Sequence, residues 1–237
     1  MNDFLTHLLQ HQPLPPDQAR EALLRIGRGE VNPAQTAAFL TAYAMKGVTV
    51  DELDGFRAAM LDLAVPVDFA DLDPMDVCGT GGDGKHTFNI STTAAFVVAG
   101  AGQAVAKHGN YGVSGKAGGS FAIVHSLDGY DEVSLTGEFL LLNGSGSGTH
   151  APDVFGFEIL APESLTGGAS LDESARMLVS ILKNRGTPAQ TNAVLANAAL
   201  ALHAANPALS LPDALAVARE SLASGRAFRS LELLLKN

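Results

Sequence analysis

Apolar positions recur at helical spacing through the first seventy residues, broken by short polar stops, before any strand-like run occurs. Pro16 opens one stretch, DQAREALLRIGRG, which Gly27 and Gly29 close. Asn32-Pro33-Ala34-Gln35 reads as a cap, a proline at the first helical position and a glutamine at the third, with Gly47 as the stop. Thr49-Val50-Asp51-Glu52 is a capping box, and its helix runs to about Leu63 before Val65-Pro66-Val67 ends the pattern. Residues 1–69 are expected to form a small all-helical domain, and 70–237 a larger one.

Strand-like runs then appear at Met75–Cys78, Ala104–His108, Phe121–His125 and near Glu132–Leu135, the last leading into Phe139–Leu142. Phe155–Leu160 offers one more. The first two runs enclose an apolar helix, Asn89 to Ala101, an order that implies a right-handed crossover between parallel strands. NGSGSG at Asn143–Gly148 reads as a hairpin or loop. From about residue 170 the chain turns helical again. Ser170-Leu171-Asp172-Glu173 and Thr187-Pro188-Ala189-Gln190 are capping boxes, and Asn192–His203, Pro212–Ala223 and Ala227–Leu235 are apolar at helical spacing. The expected fold class is α/β: a small helical domain plus a mainly parallel, mixed sheet flanked by helices.

Composition narrows the partners. Hydrophobic residues make up 46% of the 237 positions and charged ones 17%, which describes a well-cored globular chain. A net charge of −10 leaves no basic stripe for nucleic acid, so an anionic small molecule would need backbone N–H groups, a lysine or a metal. Cys78 is the one cysteine, so no internal disulfide forms. No basic-then-apolar leader and no run of about 20 apolar residues occurs, so a soluble cytoplasmic protein without membrane contact is expected.

The most informative stretch is DVCGTGGDGKHTFNIS, Asp76–Ser91. A short strand enters a loop with Gly79, Gly81, Gly82 and Gly84, and a polar segment then opens the Asn89 helix. Glycine tolerates φ > 0, so successive N–H groups can turn inward as an anion nest, and the helix start adds its own unpaired donors. A phosphate or pyrophosphate cradle results. Lys107-His108-Gly109-Asn110 ends the second strand, at the sheet edge where open α/β folds bind ligands. Asp131-Glu132 follows the third, and paired carboxylates there can hold Mg²⁺ against phosphates. Cys78 reads as buried strand filler, Lys85 and His86 as solvated loop residues, and His125 and His150 have no partner at metal-ligand spacing.

Together with GEVNPAQTAAFLTAYAMKG, DVCGTGGDGKHTFNIST, VAKHGN, HSLDGYDEVSLTG, VLANAALAL and SGRA, in that order over most of the chain, this constellation resembles the anthranilate phosphoribosyltransferase family. Pyrimidine-nucleoside phosphorylases share the architecture but carry a different glycine loop. The resemblance implies transfer of a phosphoribosyl group from phosphoribosyl pyrophosphate to anthranilate in tryptophan biosynthesis, with Mg²⁺, in a homodimer formed through the helical domain. It implies Gly79, Gly81, Gly82 and Asp83 around the pyrophosphate and ribose. Thr87, Asn89, Ser91 and Thr92 then bind substrate at the helix start, with Ser91 also a metal contact. Lys107 takes a phosphate, Asn110 lies on the acceptor side, and Ser114 and Ser120 belong to a loop that folds over the substrate. Asp131 and Glu132 become magnesium ligands.

Family members are longer. Between the serine/glycine loop and the strand before the acidic pair they carry further strands and helices, including an arginine that helps bind the acceptor. Here SGKAGGS, Ser114–Ser120, runs straight into Phe121–His125, too short for even one βαβ unit of roughly 30 residues. The sheet is therefore expected to be narrower than the family's, with a face or edge left open. A shortened, non-catalytic chain that still binds the donor, or merely folds and dimerises, is one alternative function, and a pyrimidine-nucleoside phosphorylase relative is the other.

Overall fold

A computed structural model describes residues 1–67, 69, 72–107 and 120–236. The chain divides near residue 68 into two compact units.

The first unit consists of four helices, α1 (Asn2–Leu9), α2 (Pro16–Gly27), α3 (Pro33–Lys46) and α4 (Val50–Leu63). Asn32 caps α3 by accepting from the Gln35 N–H, and Gly47, at φ 79°, stops it. Thr49 and Glu52 form the reciprocal box that starts α4. Leu8, Leu14, Ala19, Ala22, Phe39 and Tyr43 form the core, with Phe56 packed edge-on against Phe39 and Tyr43. A side chain at Gly55 would strike the Pro16 carbonyl, so this glycine lets α2 and α4 pack closely.

Glu52 is more than a cap. Its fully buried carboxylate accepts from the Leu14 N–H (2.8 Å), the Tyr43 hydroxyl (2.9 Å), the Lys46 ammonium (2.8 and 3.0 Å), and the Thr49 N–H and hydroxyl (both 2.9 Å). One residue thus ties the α1–α2 connection to α3 and α4.

The second unit is mixed α/β. Helix α5 (Ile90–Gly100) packs with α7 (Pro188–Ala205), α8 (Leu211–Ala223) and α9 (Arg226–Leu234), and α6 (Leu171–Leu182) lies beside them. Helix α7 is apolar all round, which marks a central buried helix, and its alanines let neighbours approach closely. Ser221 on α8 donates to the Val97 carbonyl of α5 at 2.7 Å, where a side chain at Gly100 would not fit.

The named sheet, β1 (Ala122–Ser126), β2 (Phe139–Asn143) and β3 (Gly146–His150), is an antiparallel meander. Ile123 lies opposite Leu142, and Leu140 opposite Thr149. Ala122, Val124 and Leu141 turn to the core, while Ile123, Leu140 and Leu142 are exposed. The expected mainly parallel sheet is not what forms: among the described residues the parallel part is a single bridge, Met75 to Val105, made by Met75 N–H to the Ala104 carbonyl (2.9 Å) and Ala106 N–H to the Met75 carbonyl (3.0 Å). The glycine loop follows at once, and Gly81, Gly82 and Gly84 all take positive φ, which ends the strand.

Two strand assignments need correction. The run Glu132–Leu135 is irregular, with Leu135 at φ 62°, and the side chain of Asn197 satisfies the backbone there. Phe155–Leu160 leaves a 3₁₀ turn, Pro152–Phe155, and only Leu160 pairs back, to the Leu135 carbonyl. NGSGSG is the hairpin expected: Asn143 accepts from the Ser145 N–H in the turn, and β3 begins at Gly146. Among the described residues no helix is long and apolar enough to cross a membrane.

Candidate active site

The glycine loop lies between the Met75–Val105 bridge and α5, and the β1–β2 connection meets it from the other side. Asp131 in that connection accepts from the Gly81 N–H and lies 3.4 Å from the Thr80 hydroxyl. Glu132 accepts from the Ser91 N–H at 2.8 Å, in the first turn of α5. Gly79 also lies against the acidic pair. A Cβ there would sit 2.8 Å from a Glu132 carboxylate oxygen and 3.0 Å from one of Asp131, so a side chain at this position would push the carboxylates aside.

The backbone carrying the acidic pair is held firmly. Ser126 donates to the Glu132 carbonyl at 2.7 Å, beside the buried Ser134. Asn197 of α7 grips the next residue as a strand would: it accepts from the Val133 N–H (3.1 Å) and donates to the Val133 carbonyl (2.8 Å). Neither residue stands out in sequence, because a serine in a strand and an asparagine in a helix carry no spacing signal.

Charge balance at this point is unusual. Burial pushes the Glu132 carboxyl up, the Ser91 hydroxyl opposes it, and the Asp131 charge adds to the rise, leaving it at about 7. Carboxyls perturbed this far cluster at functional sites. Lys107 donates to the Val77 carbonyl at 3.0 Å, and its charge acts on both Glu132 and Cys78.

The remaining residues fall around this centre in different ways. Asn89 caps α5 by accepting from the Thr92 N–H at 3.0 Å, so that pair completes the helix start. Asp83 accepts from the Lys85 N–H and shapes the loop. Thr87 bridges to Thr166 and lines a cavity of about 440 Å³ with His86, Gly167 and Ala169, away from the acidic pair. Ser120 is exposed just before β1. Asn110 and Ser114 lie outside the described residues, as does His108. Cys78 is exposed at the strand end, because the chain turns into the glycine loop instead of continuing in a sheet. Lys85 is not merely solvated: its ammonium lies 4.6 Å from the centre of the Tyr130 ring, joining the loop to the turn before Asp131.

Mg²⁺ fits this donor set. It favours one or two carboxylates and completes its shell with substrate oxygens and water. Asp131 and Glu132 would supply the carboxylates, with the Ser91 hydroxyl next to Glu132. Among the described residues no three His, Cys, Asp or Glu side chains converge, so a cage built wholly of protein groups is not formed there.

Comparison with known proteins gives the same picture over nearly the whole length. The helical bundle domain of the glycosyl transferase family matches residues 2–64, and that family's a/b domain matches 72–121 and 119–228. The chain is 35% identical to anthranilate phosphoribosyltransferase of Cytophaga hutchinsonii over a 328-residue span covering 100% of both, and 34% identical to that of Flavobacterium psychrophilum, covering 99% and 98%. The span exceeds the 237 residues of this chain, and the two a/b matches meet at 119–121, so the shortfall is internal and lies just before β1. Among solved structures, anthranilate phosphoribosyltransferase from Thermus thermophilus superposes with TM-score 0.82 at 25% identity, covering 96% of this chain and 97% of that one. The Saccharomyces cerevisiae enzyme in complex with PRPP and Mg shares the fold, with TM-score 0.83 at 20% identity over 97% and 95%. By sequence identity, coverage and domain match, the chain belongs to the anthranilate phosphoribosyltransferase family.

Proposed function

We propose that this chain transfers the phosphoribosyl group of phosphoribosyl pyrophosphate to anthranilate, releasing pyrophosphate, as a cytoplasmic step of tryptophan biosynthesis. The observation that carries the reading is the meeting of the Gly81 and Ser91 N–H groups with the Asp131–Glu132 pair, next to the Lys107 charge. Loss of pyrophosphate from the ribose builds positive charge on the sugar and negative charge on the departing group. Mg²⁺ would neutralise that negative charge. Asp131, Glu132 and Ser91 would hold it, and the loop N–H groups and Lys107 would hold the phosphates. The aromatic amine needs only to be positioned, so no covalent nucleophile is required. The relatives' additional internal stretch is where the resemblance puts the acceptor-binding arginine, and the donor side is the half of the site most fully present in this chain.

Calorimetric titration with phosphoribosyl pyrophosphate plus Mg²⁺, followed by an anthranilate-consumption assay, tests the reading. Donor binding with turnover supports it, and donor binding without turnover leaves a donor-binding remnant. No donor binding overturns the site. Lys107→Ala is expected to weaken donor binding. The exposed Leu9, Leu40, Met45, Val50 and Leu53 of the helical unit support a homodimer through that unit. Sedimentation of the chain and of a Leu40→Glu/Leu53→Glu variant tests this, the variant being expected to run as a monomer.

A further inference from the structure

Lys85 lies in a glycine-rich loop, yet the fold gives its side chain a fixed place. The chain reverses at Asp83, whose carboxylate accepts from the Lys85 N–H at 2.9 Å, with Gly82 and Gly84 at positive φ on either side. The ammonium then lies 4.6 Å from the centre of the Tyr130 ring, and its stem passes beside Gly129, where a Cβ would stand 3.6 Å from Lys85 Cε. Among the described residues no carboxylate lies within ion-pair distance of this ammonium, so the ring is its partner.

Tyr130 is a firm anchor. It is buried, and its carbonyl accepts from the Ser126 N–H at the end of β1 at 3.1 Å. The glycine loop is thus tied to the β1–β2 connection at two points, Gly81 to Asp131 and Lys85 to Tyr130. The first tie uses groups that a bound diphosphate would itself engage. The second leaves those groups free, so it can hold the loop whether or not the site is filled. A loop with four glycines has much backbone freedom to lose, and ordering it in advance favours binding.

Resting on the reading of this site as a phosphoribosyl pyrophosphate site, we propose that Lys85 and Tyr130 are a pair of positioning residues. The ammonium clamped on the ring holds the glycine loop in its binding shape before the donor arrives. Neither side chain touches the reacting atoms. The contact needs a cation and an aromatic face together, so each residue acts only through the other.

Hydrogen–deuterium exchange of the ligand-free full chain, with calorimetric titration of phosphoribosyl pyrophosphate in Mg²⁺, tests this. Lys85→Met and Tyr130→Leu are each expected to speed exchange in residues 79–87 about fivefold and to weaken donor binding by about the same factor, the equivalent of one cation–π contact. The double variant is expected to lose no more than either single one, because each removes the same contact. Lys85→Arg and Tyr130→Phe keep the cation and the ring, and they are expected to behave as wild type. Far-UV circular dichroism confirms that all five fold.

If wild type binds the donor and neither single variant weakens it, or if the losses add in the double variant, the pairing is overturned and the donor site stands. A loss in Lys85→Met alone also overturns it, because the lysine then serves the phosphates by its charge and not through the ring. Unchanged loop exchange in both single variants overturns it as well. If wild type binds no donor, the donor site itself falls, and the positioning role with it.

Discussion

Two glutamates, a buried one in the first unit and a half-buried one in the second, are treated in opposite ways. Glu52 has no exposure, yet Lys46, Leu14, Tyr43 and Thr49 surround its carboxylate with donors. Burial alone would raise its pKa, but the Lys46 ammonium and the Thr49 and Leu14 N–H groups outweigh it and hold the carboxyl down at about 2. Glu132 has the Ser91 donors and a like-charged neighbour, and burial holds it up at about 7. The first is a completed structural hub. The second is short of positive charge, which is the condition of a site waiting for a ligand that brings some.

The sharpest way to break this comparison is to remove each glutamate in turn. Glu52→Ala strands a nearly buried lysine, and breaking such a pair costs roughly 3–5 kcal/mol. Urea denaturation is expected to show that loss, with donor affinity of the folded fraction unchanged. A Lys46→Met/Glu52→Leu double variant should recover much of it, because replacing both charges leaves no unpaired ion. Glu132→Ala should do the reverse, abolishing Mg²⁺-dependent donor binding at a much smaller cost in stability. Equal stability losses in the two single variants would erase the distinction.

The pH dependence of folding separates them next, measured in EDTA. Glu52 has a folded pKa of about 2, below its ordinary value of 4.5, so its stabilisation is fully present above pH 4.5 and is lost as pH falls toward 2. Glu132 has a folded pKa of about 7, above 4.5, so its contribution is present below pH 4.5 and disappears as pH rises through 7. Each swing is worth about 3 kcal/mol by linkage. Chemical denaturation from pH 2 to 8 should lose its acid slope in Glu52→Gln and its near-neutral slope in Glu132→Gln.

What could be read in the sequence follows the same division. Caps are local chemistry, so Asn32, Thr49, Thr187 and Gly47 announce their helices, and α2, α3, α4 and α7 lie where those signals place them. The glycine loop was legible too, since positive φ at Gly81, Gly82 and Gly84 needs glycine. The hub role of Glu52 was not: a capping glutamate reads the same whether it meets water or four other residues. Sheet geometry was partly hidden, because Gly146–His150 has Thr149 as its one strong strand former and is recruited by its turn and by β2. The run at 132–135 looked like a strand because its apolar residues are buried, Val133 and Leu135 both at 0% exposure. Burial there comes from membership of the unit's core, and the backbone is held by the Leu160 N–H at the Leu135 carbonyl and, at Val133, by the Asn197 side chain.

That side chain gives the smallest and most discriminating prediction. Asn197 holds both polar groups of Val133 and also donates to the Ala193 carbonyl at 2.9 Å. Asn197→Leu keeps the volume but leaves the Val133 N–H and carbonyl without their partner, at a cost of about 1–3 kcal/mol. Asn197→Asp retains an acceptor for the N–H and loses the donor to the carbonyl, so it should fall between the two in urea denaturation. A merely structural role ends there. If Asn197 also positions the acidic pair, the Mg²⁺ concentration needed for half-maximal pyrophosphate binding should rise in the order wild type, Asp, Leu, even at temperatures where all three are fully folded. A stability loss without that rise would confine Asn197 to the core, and the contrast between the two glutamates would then rest on charge alone.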